Sequence, residues 1–305
     1  MTQQFHANGK LLITGEYFIL DGAVGLALPT KFGQILTVDS CLPEFIEGNE
    51  KGISWKSIDD KNNIWFEAKF SESLEIISST NNEVAETLQN ILKHCNLITH
   101  HSSLTTKLDF PQNWGLGSSS TLISLLAQYA NVDPYKLLAK TFGGSGYDIA
   151  CATAKSAITY QLTTHDSRLT TPINFNPSFA NHLYFVHLAK KQNSREGIQH
   201  YKNLSIDKTD LVDQISELTQ KIINANELDE FSYYVEVHEN IVSKALNLQK
   251  VKDIYFPDFP GTIKSLGAWG GDFVLVASDE SPEMINHYFE HKGFPTVLSY
   301  NAMIL

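Results

Sequence analysis

Apolar and polar positions alternate over short stretches in the first half of the chain, a period that is typical of β-strands. Strands are predicted at residues 5–20 (in two segments), 24–28, 33–38, 55–58, 64–70, 104–110 and 156–162. Turn signals at Asp21-Gly22 and in the polar run 59–63 predict a hairpin at each place. Apolar residues recur at helical spacing in the stretches 84–97, 118–129 and 135–141. Strands and helices are therefore mixed in this half.

A polar stretch without periodicity separates the two halves. Residues 165–181 contain Pro172 and Pro177, so we place a domain boundary there and predict domains at 1–170 and 171–305. Beyond it the pattern predicts strands at 182–188, 262–269, 273–277 and 295–300, and helices at 194–202, 207–225, 228–248 and 282–291. This order predicts a small antiparallel sheet backed by helices, an α+β arrangement.

Composition narrows the class of protein. A length of 305 residues allows two domains with cores. The net charge of -11 argues against a nucleic-acid partner but not against a bound nucleotide. No apolar run approaches the roughly 18 residues of a membrane span, and the polar N-terminus lacks a signal sequence. Because Cys41, Cys95 and Cys151 have no metal-ligand spacing, we expect free thiols in a cytoplasmic protein without a membrane partner.

A glycine–serine turn opens directly into the helix at 118–129, with the sequence Pro-Gln-Asn-Trp-Gly-Leu-Gly-Ser-Ser-Ser-Thr from Pro111. Gly115 and Gly117 allow a tight bend, and the three serines that follow are N-cap candidates. Unpaired N–H groups and the helix dipole together favour an anion such as phosphate. The turn is not a Walker loop, because no Gly-Lys-Ser/Thr follows. Taken alone, it is equally well explained as an ordinary Ser-capped helix.

Three further segments carry glycines beside charged residues. Gly-Lys-Leu-Leu-Ile-Thr-Gly-Glu-Tyr spans residues 9–17, Gly-Gly-Ser-Gly-Tyr-Asp-Ile-Ala spans 143–150, and Lys-Ser-Leu-Gly-Ala-Trp-Gly-Gly-Asp spans 264–272. Each has a plain structural explanation: an exposed strand lysine, an aspartate in the first turn of a helix, and a tight hairpin. A basic segment at 190–195 leads into a helix, where it either holds an anionic acceptor or forms a solvated turn.

Together and in this order, the segments resemble the motifs of the GHMP kinases, the small-molecule kinases of galactose, homoserine, mevalonate and phosphomevalonate. The glycine–serine turn resembles Pro-x-x-x-Gly-Leu-Gly-Ser-Ser-Ala, from which only Ser120 departs. The opening segment is similar to Gly-Lys-strand-Gly-Glu-His/Tyr, and Asp148 lies in a Gly-Ser-Gly-x-Asp-x-Ala-like segment. The last segment resembles Gly-Ala-Gly-Gly-Gly, with Trp269 where a glycine is usual.

The resemblance implies a fold and a reaction. The fold is α+β, the two-domain GHMP kinase fold with an N-terminal ribosomal-protein-S5 domain 2-like part and a C-terminal ferredoxin-like part. ATP is expected on the loop 115–120, with Mg²⁺, and the acceptor is expected to be a small molecule. Glu16-Tyr17 and Gly271-Asp272 favour mevalonate or phosphomevalonate over other acceptors. A monomer or homodimer is expected.

The resemblance also assigns roles to residues. Lys10 and Asp148 are implied to act on the acceptor hydroxyl, as a cation and as a carboxylate that orients it or takes its proton. Cofactor binding is implied for Gly115, Leu116, Gly117, Ser118, Ser119, Ser120, Gly267, Gly270 and Gly271, and metal binding for Ser119 and Glu16. Substrate binding is implied for Glu16, Tyr17, Ser145, Gly146, Tyr147, Lys191, Ser194 and Arg195.

Three alternatives remain open. The first is a non-catalytic nucleotide-binding relative that acts as a regulatory or partner subunit, which Trp269 favours and which Lys10 and Asp148 oppose. The second is a kinase for another acceptor, such as homoserine or a sugar. The third is a decarboxylase of the same superfamily.

Overall fold

The computed structural model describes residues 2–40, 52–95, 102–163, 167–190 and 194–305. The chain divides into two compact units that interleave along the sequence. The first unit comprises Met1–Gly9, Phe32–Gln112 and Gly117–Thr153; the second comprises Lys10–Lys31, Asn113–Leu116 and Ala154–Leu305. Because neither unit is one continuous stretch, the linear division at residue 170 stays a prediction.

The first unit contains most of a sheet with the strand order β5-β4-β3-β6-β2, while residues 10–12 of β1 and 25–31 of β2 belong to the second unit. Its strands are β1 (Thr2–Leu12), which pairs with β2, then β2 (Gly25–Ser40), β3 (Gly52–Ile58), β4 (Ile64–Ser71), β5 (Ile76–Ser79) and β6 (Ser102–Leu108). The predicted hairpin of β3 and β4 is confirmed. The prediction of two strands around Pro29 is wrong, because β2 continues through the proline. The hairpin expected at Asp21-Gly22 is also wrong, since Phe18–Asp21 form a 3-10 turn that ends at left-handed Gly22.

Four helices accompany this sheet. They are α1 (Asn82–His94), α2 (Ser118–Ala130), α3 (Pro134–Thr141) and α4 (Tyr147–Ala152). The Asn81 side chain caps α1 and the Asp133 side chain caps α3, each by accepting a backbone N–H. Trp55, Phe66, Leu88 and Ile123 are among the buried side chains of one core that the sheet and helices share. The helices predicted at 84–97, 118–129 and 135–141 are confirmed within a few residues over the described part of the chain.

The second unit contains two sets of strands. The first residues of β2 pair with β7 (Ile158–Leu162), which pairs with β8 (Arg168–Pro172). An antiparallel sheet has the order β10-β11-β9-β12, with β9 (Leu183–His187), β10 (Thr262–Ser265), β11 (Phe273–Ala277) and β12 (Val297–Ser299). β8 lies in the stretch 165–181 where the sequence shows no periodicity and where the domain boundary is predicted. All of its side chains are exposed.

The helices of the second unit, together with its antiparallel sheet, confirm the predicted α+β class. They are α5 (Ser194–Lys202), α6 (Thr209–Asn224), α7 (Leu228–Leu246), α8 (Val251–Tyr255), α9 (Pro282–His291) and α10 (Tyr300–Met303). The short helices α8 and α10 escaped prediction because they are too short to show a period. No helix in the described part of the chain has the length and apolar character needed to cross a membrane.

Candidate functional site

In the first unit, helix α2 begins directly after a left-handed glycine. Gly117 (φ 93°) is the N-cap residue, and no side chain caps the helix. The expected serine cap is therefore wrong: the Ser120 hydroxyl donates back to the Gly117 carbonyl at 2.8 Å and accepts no N–H there. An uncapped helix start presents backbone N–H donors and a positive dipole end, which suits a phosphate group.

Helix α4 of the first unit packs against α2 and begins in the same way, after left-handed Gly146 (φ 87°). Asp148 lies in its first turn and is half-buried, and its Oδ1 accepts the Ile149 N–H at 3.0 Å. The helix dipole favours the ionised carboxylate at this position. Ser145 is buried, and Tyr147 is half-buried.

In the second unit, Lys10 of β1 contacts the glycine turn by both its backbone and its side chain. The Lys10 N–H donates to the Leu116 carbonyl at 3.0 Å, and its Nζ donates to the Gly115 carbonyl at 3.0 Å. The side chain is half-buried. The ammonium group, which has three donors, is therefore fixed beside the turn that the sequence assigns to phosphate.

Asp272 reaches Gly115 from the other side. Gly115 has φ 67°, and a Cβ built on it would lie 2.2 Å from the Asp272 Cγ. Asp272 is itself held to the end of β9, because its N–H donates to the Lys190 carbonyl at 2.8 Å and its carbonyl accepts the Leu188 N–H at 2.7 Å. Only glycine fits at position 115, because any side chain would overlap the Asp272 carboxylate. We call Lys10, Gly115 and Asp272 the turn site.

Two aromatic residues hold the turn on the antiparallel sheet. The Trp114 ring meets Phe273 edge to face, with centroids 5.5 Å apart. The buried His187 donates from Nε2 to the Asn113 carbonyl at 3.0 Å, which fixes its tautomer. Burial lowers the pKa of His187, although the Asn113 carbonyl and Asp272 partly oppose the shift. A neutral His187 therefore serves as a structural donor.

Four ionisable side chains of the second unit lie together with at most 1 % exposure: Glu16, His238, Glu239 and Lys264. We call them the buried charge cluster. Lys264 forms an ion pair with Glu16, and its Nζ lies 4.0 Å from Glu239 Oε2. Lys264 Nζ also donates to the Ser265 carbonyl at 2.9 Å. This cluster encloses Glu16, whose metal and substrate roles remain predictions that require the pair to open.

Burial controls the protonation of the cluster. Burial raises the pKa of Glu16, which the Lys264 charge opposes, and raises the pKa of Glu239 to about 7. Burial, and then the Lys264 charge, holds the pKa of His238 well below its usual range. The approach of His238 Nε2 to Glu16 Oε2 at 3.5 Å is thus no ion pair, since Nε2 accepts the Gly15 N–H at 3.1 Å. One cation faces two carboxyl groups.

A buried aromatic cluster of the second unit contains Tyr17 and Trp269. Tyr17 comes from the first glycine segment and Trp269 from the last. The Tyr17 ring stacks on Tyr201 with centroids 5.7 Å apart. Trp269 is 4 % exposed and has φ 26°, and its Nε1 has no hydrogen-bond partner among the described residues. Trp269 thus fills core space. The substrate role of Tyr17 stays a prediction, and its ring is buried here.

The last glycine segment is a turn between β10 and β11, and the predicted antiparallel pairing of these strands is confirmed. Gly267 (φ 60°) and Gly270 (φ 84°) are left-handed, and Gly271 is buried. Lys191 lies outside the described residues, as does Cys41. Ser194 and Arg195 begin α5, but the structure does not describe their side chains.

Five residues that hold the glycine turn or form the buried charge cluster were not predicted as site residues: His187, His238, Glu239, Lys264 and Asp272. A signal existed for the helical pair, because His238 follows Phe231 and Val235 on the buried stripe of α7. For Lys264 and Asp272 the signal was their position in a glycine segment. His187 ends an apolar strand, and nothing in the sequence set it apart.

The remaining sequence predictions concern the cysteines and the metal ligands. Cys95 and Cys151 are buried, and burial raises the pKa of the Cys95 thiol to about 12. Over the residues that the structure describes, no three His, Cys, Asp or Glu side chains are grouped so that they could hold a metal ion.

No protein-family model matches the sequence, and no curated protein matches it. Solved structures match nearly the whole chain. The chain is similar to L. major mevalonate kinase in complex with R-mevalonate (13 % identity, TM-score 0.68), covering 98 % of this chain and 95 % of that one. It is also similar to Streptococcus pneumoniae phosphomevalonate kinase in complex with phosphomevalonate and AMPPNP. The identity is 17 % and the TM-score 0.67, and the match covers 98 % of this chain and 99 % of that one.

Lactococcus lactis galactokinase complexed with galactose is similar to the same extent, with 11 % identity, a TM-score of 0.66, and coverage of 98 % of this chain and 92 % of that chain. All three proteins are small-molecule kinases of the group that the sequence motifs resemble. The chain therefore has the fold of the GHMP kinases.

Proposed function

We propose that the protein is an ATP-dependent small-molecule kinase. The observation that carries this proposal is the turn site, where Lys10 and Asp272 converge on Gly115 within the segment that leads into the uncapped start of α2. A lysine, a glycine turn and open helix N–H groups are the donors that a nucleotide phosphate requires. The fold shared with three kinases supports the same conclusion.

The loop 115–120 and Lys10 supply charge neutralisation in this proposal. As the γ-phosphoryl group leaves ATP, negative charge spreads over its oxygens, and fixed N–H groups and a cation stabilise that charge without reorganising. Lys10 suits the task because its ammonium is held by the Gly115 carbonyl at 3.0 Å. Gly267, Gly270 and Gly271 are proposed to shape the phosphate side of the site.

Asp148 is proposed to orient the acceptor hydroxyl and take its proton. With a hydroxyl acceptor such as mevalonate, the proton moves from the acceptor oxygen to the Asp148 carboxylate as that oxygen bonds to phosphorus and the bond from phosphorus to the ADP oxygen breaks. With a phosphate acceptor such as phosphomevalonate, an ionised phosphate oxygen attacks, the same bond to ADP breaks, and no proton is transferred. Asp148 suits this role because the dipole of α4 stabilises a negative charge in the first turn, where a carboxylate can accept a proton.

Mg²⁺ would supply charge neutralisation on the β- and γ-phosphate oxygens. The exposed Ser119, in the first turn of α2, fits this requirement because its hydroxyl lies at the uncapped helix start. Glu16 does not fit in this structure, because it is fully buried and paired with Lys264.

Mevalonate or phosphomevalonate is the proposed acceptor. Glu16-Tyr17 and Gly271-Asp272 favour these compounds by resemblance, and two of the similar structures hold R-mevalonate and phosphomevalonate. The second of these also holds AMPPNP, an ATP analogue, which supports ATP as the donor.

The test is ADP release with Mg-ATP and each of four acceptors: mevalonate, phosphomevalonate, homoserine and galactose. We expect turnover with one of the first two, and Asp148→Asn to lower it by about 10²- to 10⁴-fold, the usual contribution of an acid–base group. Asp133→Asn is the matched control, because Asp133 begins a helix of the same unit and Asn also caps.

Other outcomes separate the alternatives. Nucleotide binding without turnover on any acceptor would replace the kinase by a non-catalytic nucleotide-binding protein. Turnover with homoserine or galactose would keep the kinase and change its acceptor, and carbon dioxide release would indicate a decarboxylase. No binding of ATP at all would refute the assignment of the loop 115–120.

A further inference from the structure

Adjacent residues of helix α7 hold two separate segments of the second unit. His238 Nε2 accepts the Gly15 N–H at 3.1 Å, and Glu239 Oε1 accepts the Ser265 N–H at 3.0 Å. The residues beside these two amides, Glu16 and Lys264, form an ion pair with each other. The helix and the pair thus join the segment after β1 to the end of β10 by three polar contacts.

The two joined segments lead directly to the turn site. Lys10 lies on β1, just before the Gly15-Glu16 turn, and Asp272 lies at the far end of the glycine loop that follows Lys264. A shift of the Gly15 turn against β10 would therefore change the position of the Lys10 ammonium relative to Asp272. Both residues lie close to Gly115, since Lys10 Nζ is 3.0 Å from the Gly115 carbonyl oxygen and a Cβ built on Gly115 would lie 2.2 Å from the Asp272 Cγ.

If the cluster served only to stabilise the fold, burying its charges would carry a large desolvation cost for little gain. Buried charges lose their hydration, and apolar residues of similar volume often serve stability equally well or better. Buried polar contacts, in contrast, specify one arrangement, because each donor has one acceptor in the right place. Gly15 and Ser265 present such single donors here.

We propose that the Glu16–Lys264 pair, held by His238 and Glu239, is a positioning device that sets Lys10 and Asp272 against the Gly115 turn for phosphoryl transfer. These residues touch no phosphate; they act through Lys10 and the loop 267–271. The proposal rests on the proposed kinase function for its catalytic consequence, whereas its structural consequence is independent of any substrate.

The structural consequence is tested by amide hydrogen exchange, measured residue by residue by NMR on the intact protein. The variants are Lys264→Met, Glu16→Gln and the double variant, which removes both members of the ion pair and leaves Glu239 as the cluster's one carboxyl group. The Gly15 and Ser265 amides report the contacts themselves, and the Lys10 and Asp272 amides, bonded to the Leu116 and Lys190 carbonyls, report the turn site.

We expect exchange at Lys10 and Asp272 to accelerate at least about tenfold more than exchange at the amides of β9 in all three variants, a change of about 1.4 kcal/mol in local opening beyond any loss of global stability, which the buried β9 amides report. The matched control is Lys292→Met, which removes a surface lysine from its 2.8 Å pair with Asp258. Acceleration confined to Gly15 and Ser265 would overturn the proposal, because the cluster would then be a local structural contact only.

The catalytic consequence is tested on the same proteins. We expect kcat of the double variant to fall about 10²-fold while KM for ATP changes less than about threefold, since misplacement affects the transition state most. A double variant with faster exchange at the turn site and normal kcat would refute the positioning role. If the wild-type protein turns over no acceptor, the kinase proposal fails, and the exchange result alone decides whether the pair positions the turn.

Discussion

The turn site and the buried charge cluster use the same kinds of residue in opposite environments. Each contains a lysine and an acidic side chain from the first and last glycine segments. Lys10 is half-buried and donates to a backbone carbonyl, whereas Lys264 is fully buried and pairs with a carboxylate. The difference shows that burial, more than residue type, separates a group that can meet a ligand from a group that holds the framework.

The comparison also explains why a motif does not assign roles by itself. Lys10 and Glu16 belong to one segment of nine residues, and both were expected at the ligand. In the structure only Lys10 lies at the turn, while Glu16 is enclosed by Lys264 and α7. Four predictions follow from this contrast between the two regions.

The largest contrast is expected between the two lysines. Lys10→Met should lower turnover about 10²- to 10³-fold, the loss of one donor at a charged transition state, and change the free energy of unfolding by only about 1 kcal/mol. Lys264→Met should lower the free energy of unfolding by about 3–5 kcal/mol, because it leaves Glu16 buried without its partner. Urea unfolding and ADP release measure the two effects, and equal losses of stability would erase the distinction.

Gly115→Ala should strain the turn site in two ways. A left-handed alanine costs about 1–2 kcal/mol, and overpacking against the Asp272 carboxylate adds about 1–3 kcal/mol. Gly143→Ala is the matched control, because Gly143 has nearly the same φ (68°) and no atom lies within 4 Å of its Cβ position. Urea unfolding should show the larger loss for Gly115→Ala, and Asp272→Ala should recover the excess. Equal losses for the two alanines would mean that Asp272 moves aside without cost.

The buried charge cluster should reveal itself in the pH dependence of stability. The pKa of Glu239 is about 7 in the folded protein against 4.5 in the unfolded chain, so between these values the folded state binds more protons. The free energy of unfolding of the wild-type protein, measured relative to that of Glu239→Gln, should therefore fall as pH rises from 4.5 to 7. The expected fall is about 3 kcal/mol, because each pKa unit corresponds to about 1.4 kcal/mol. Urea unfolding across this range measures the difference.

Several charged groups surround Glu239, so the control for this titration is a carboxyl group outside that set. Glu16, His238 and Lys264 lie beside it in the cluster, and Glu236, Lys250 and Lys252 line the adjoining cleft. Asp258→Asn should give the opposite sign, because hydrogen bonds from Lys292 and Tyr288 lower the pKa of Asp258, so its contribution is lost as pH falls. A flat difference for Glu239→Gln would mean that the carboxyl stays ionised in the folded protein.

Local sequence signals predicted the parts of the molecule that depend on nearby residues. The β3–β4 hairpin, α9 and the start of α2 follow from alternation, helical spacing and glycine placement. The buried charge cluster was not predictable in this way, because Glu16, His238 and Lys264 meet only after three distant segments have packed. Trp269 shows the same limit: its burial beside Tyr17 depends on α6 and α7, and the glycine segment alone left its direction undetermined.

The smallest effect on the free energy of unfolding is expected for Gly197→Ala. This substitution tests how rigidly the aromatic cluster holds the segment after Glu16. Helix propensity favours Gly197→Ala by up to about 1 kcal/mol, whereas a Cβ there would lie 2.3 Å from the Tyr17 hydroxyl and cost about 1–3 kcal/mol. We expect a net loss of about 1 kcal/mol in urea unfolding, because the Tyr17 ring is stacked on Tyr201 and cannot turn away easily. Tyr17→Phe removes the nearest atom and should make the alanine less costly than in the wild-type background. A stabilising Gly197→Ala would instead show that α5 shifts freely and that the Tyr17 ring does not fix its position.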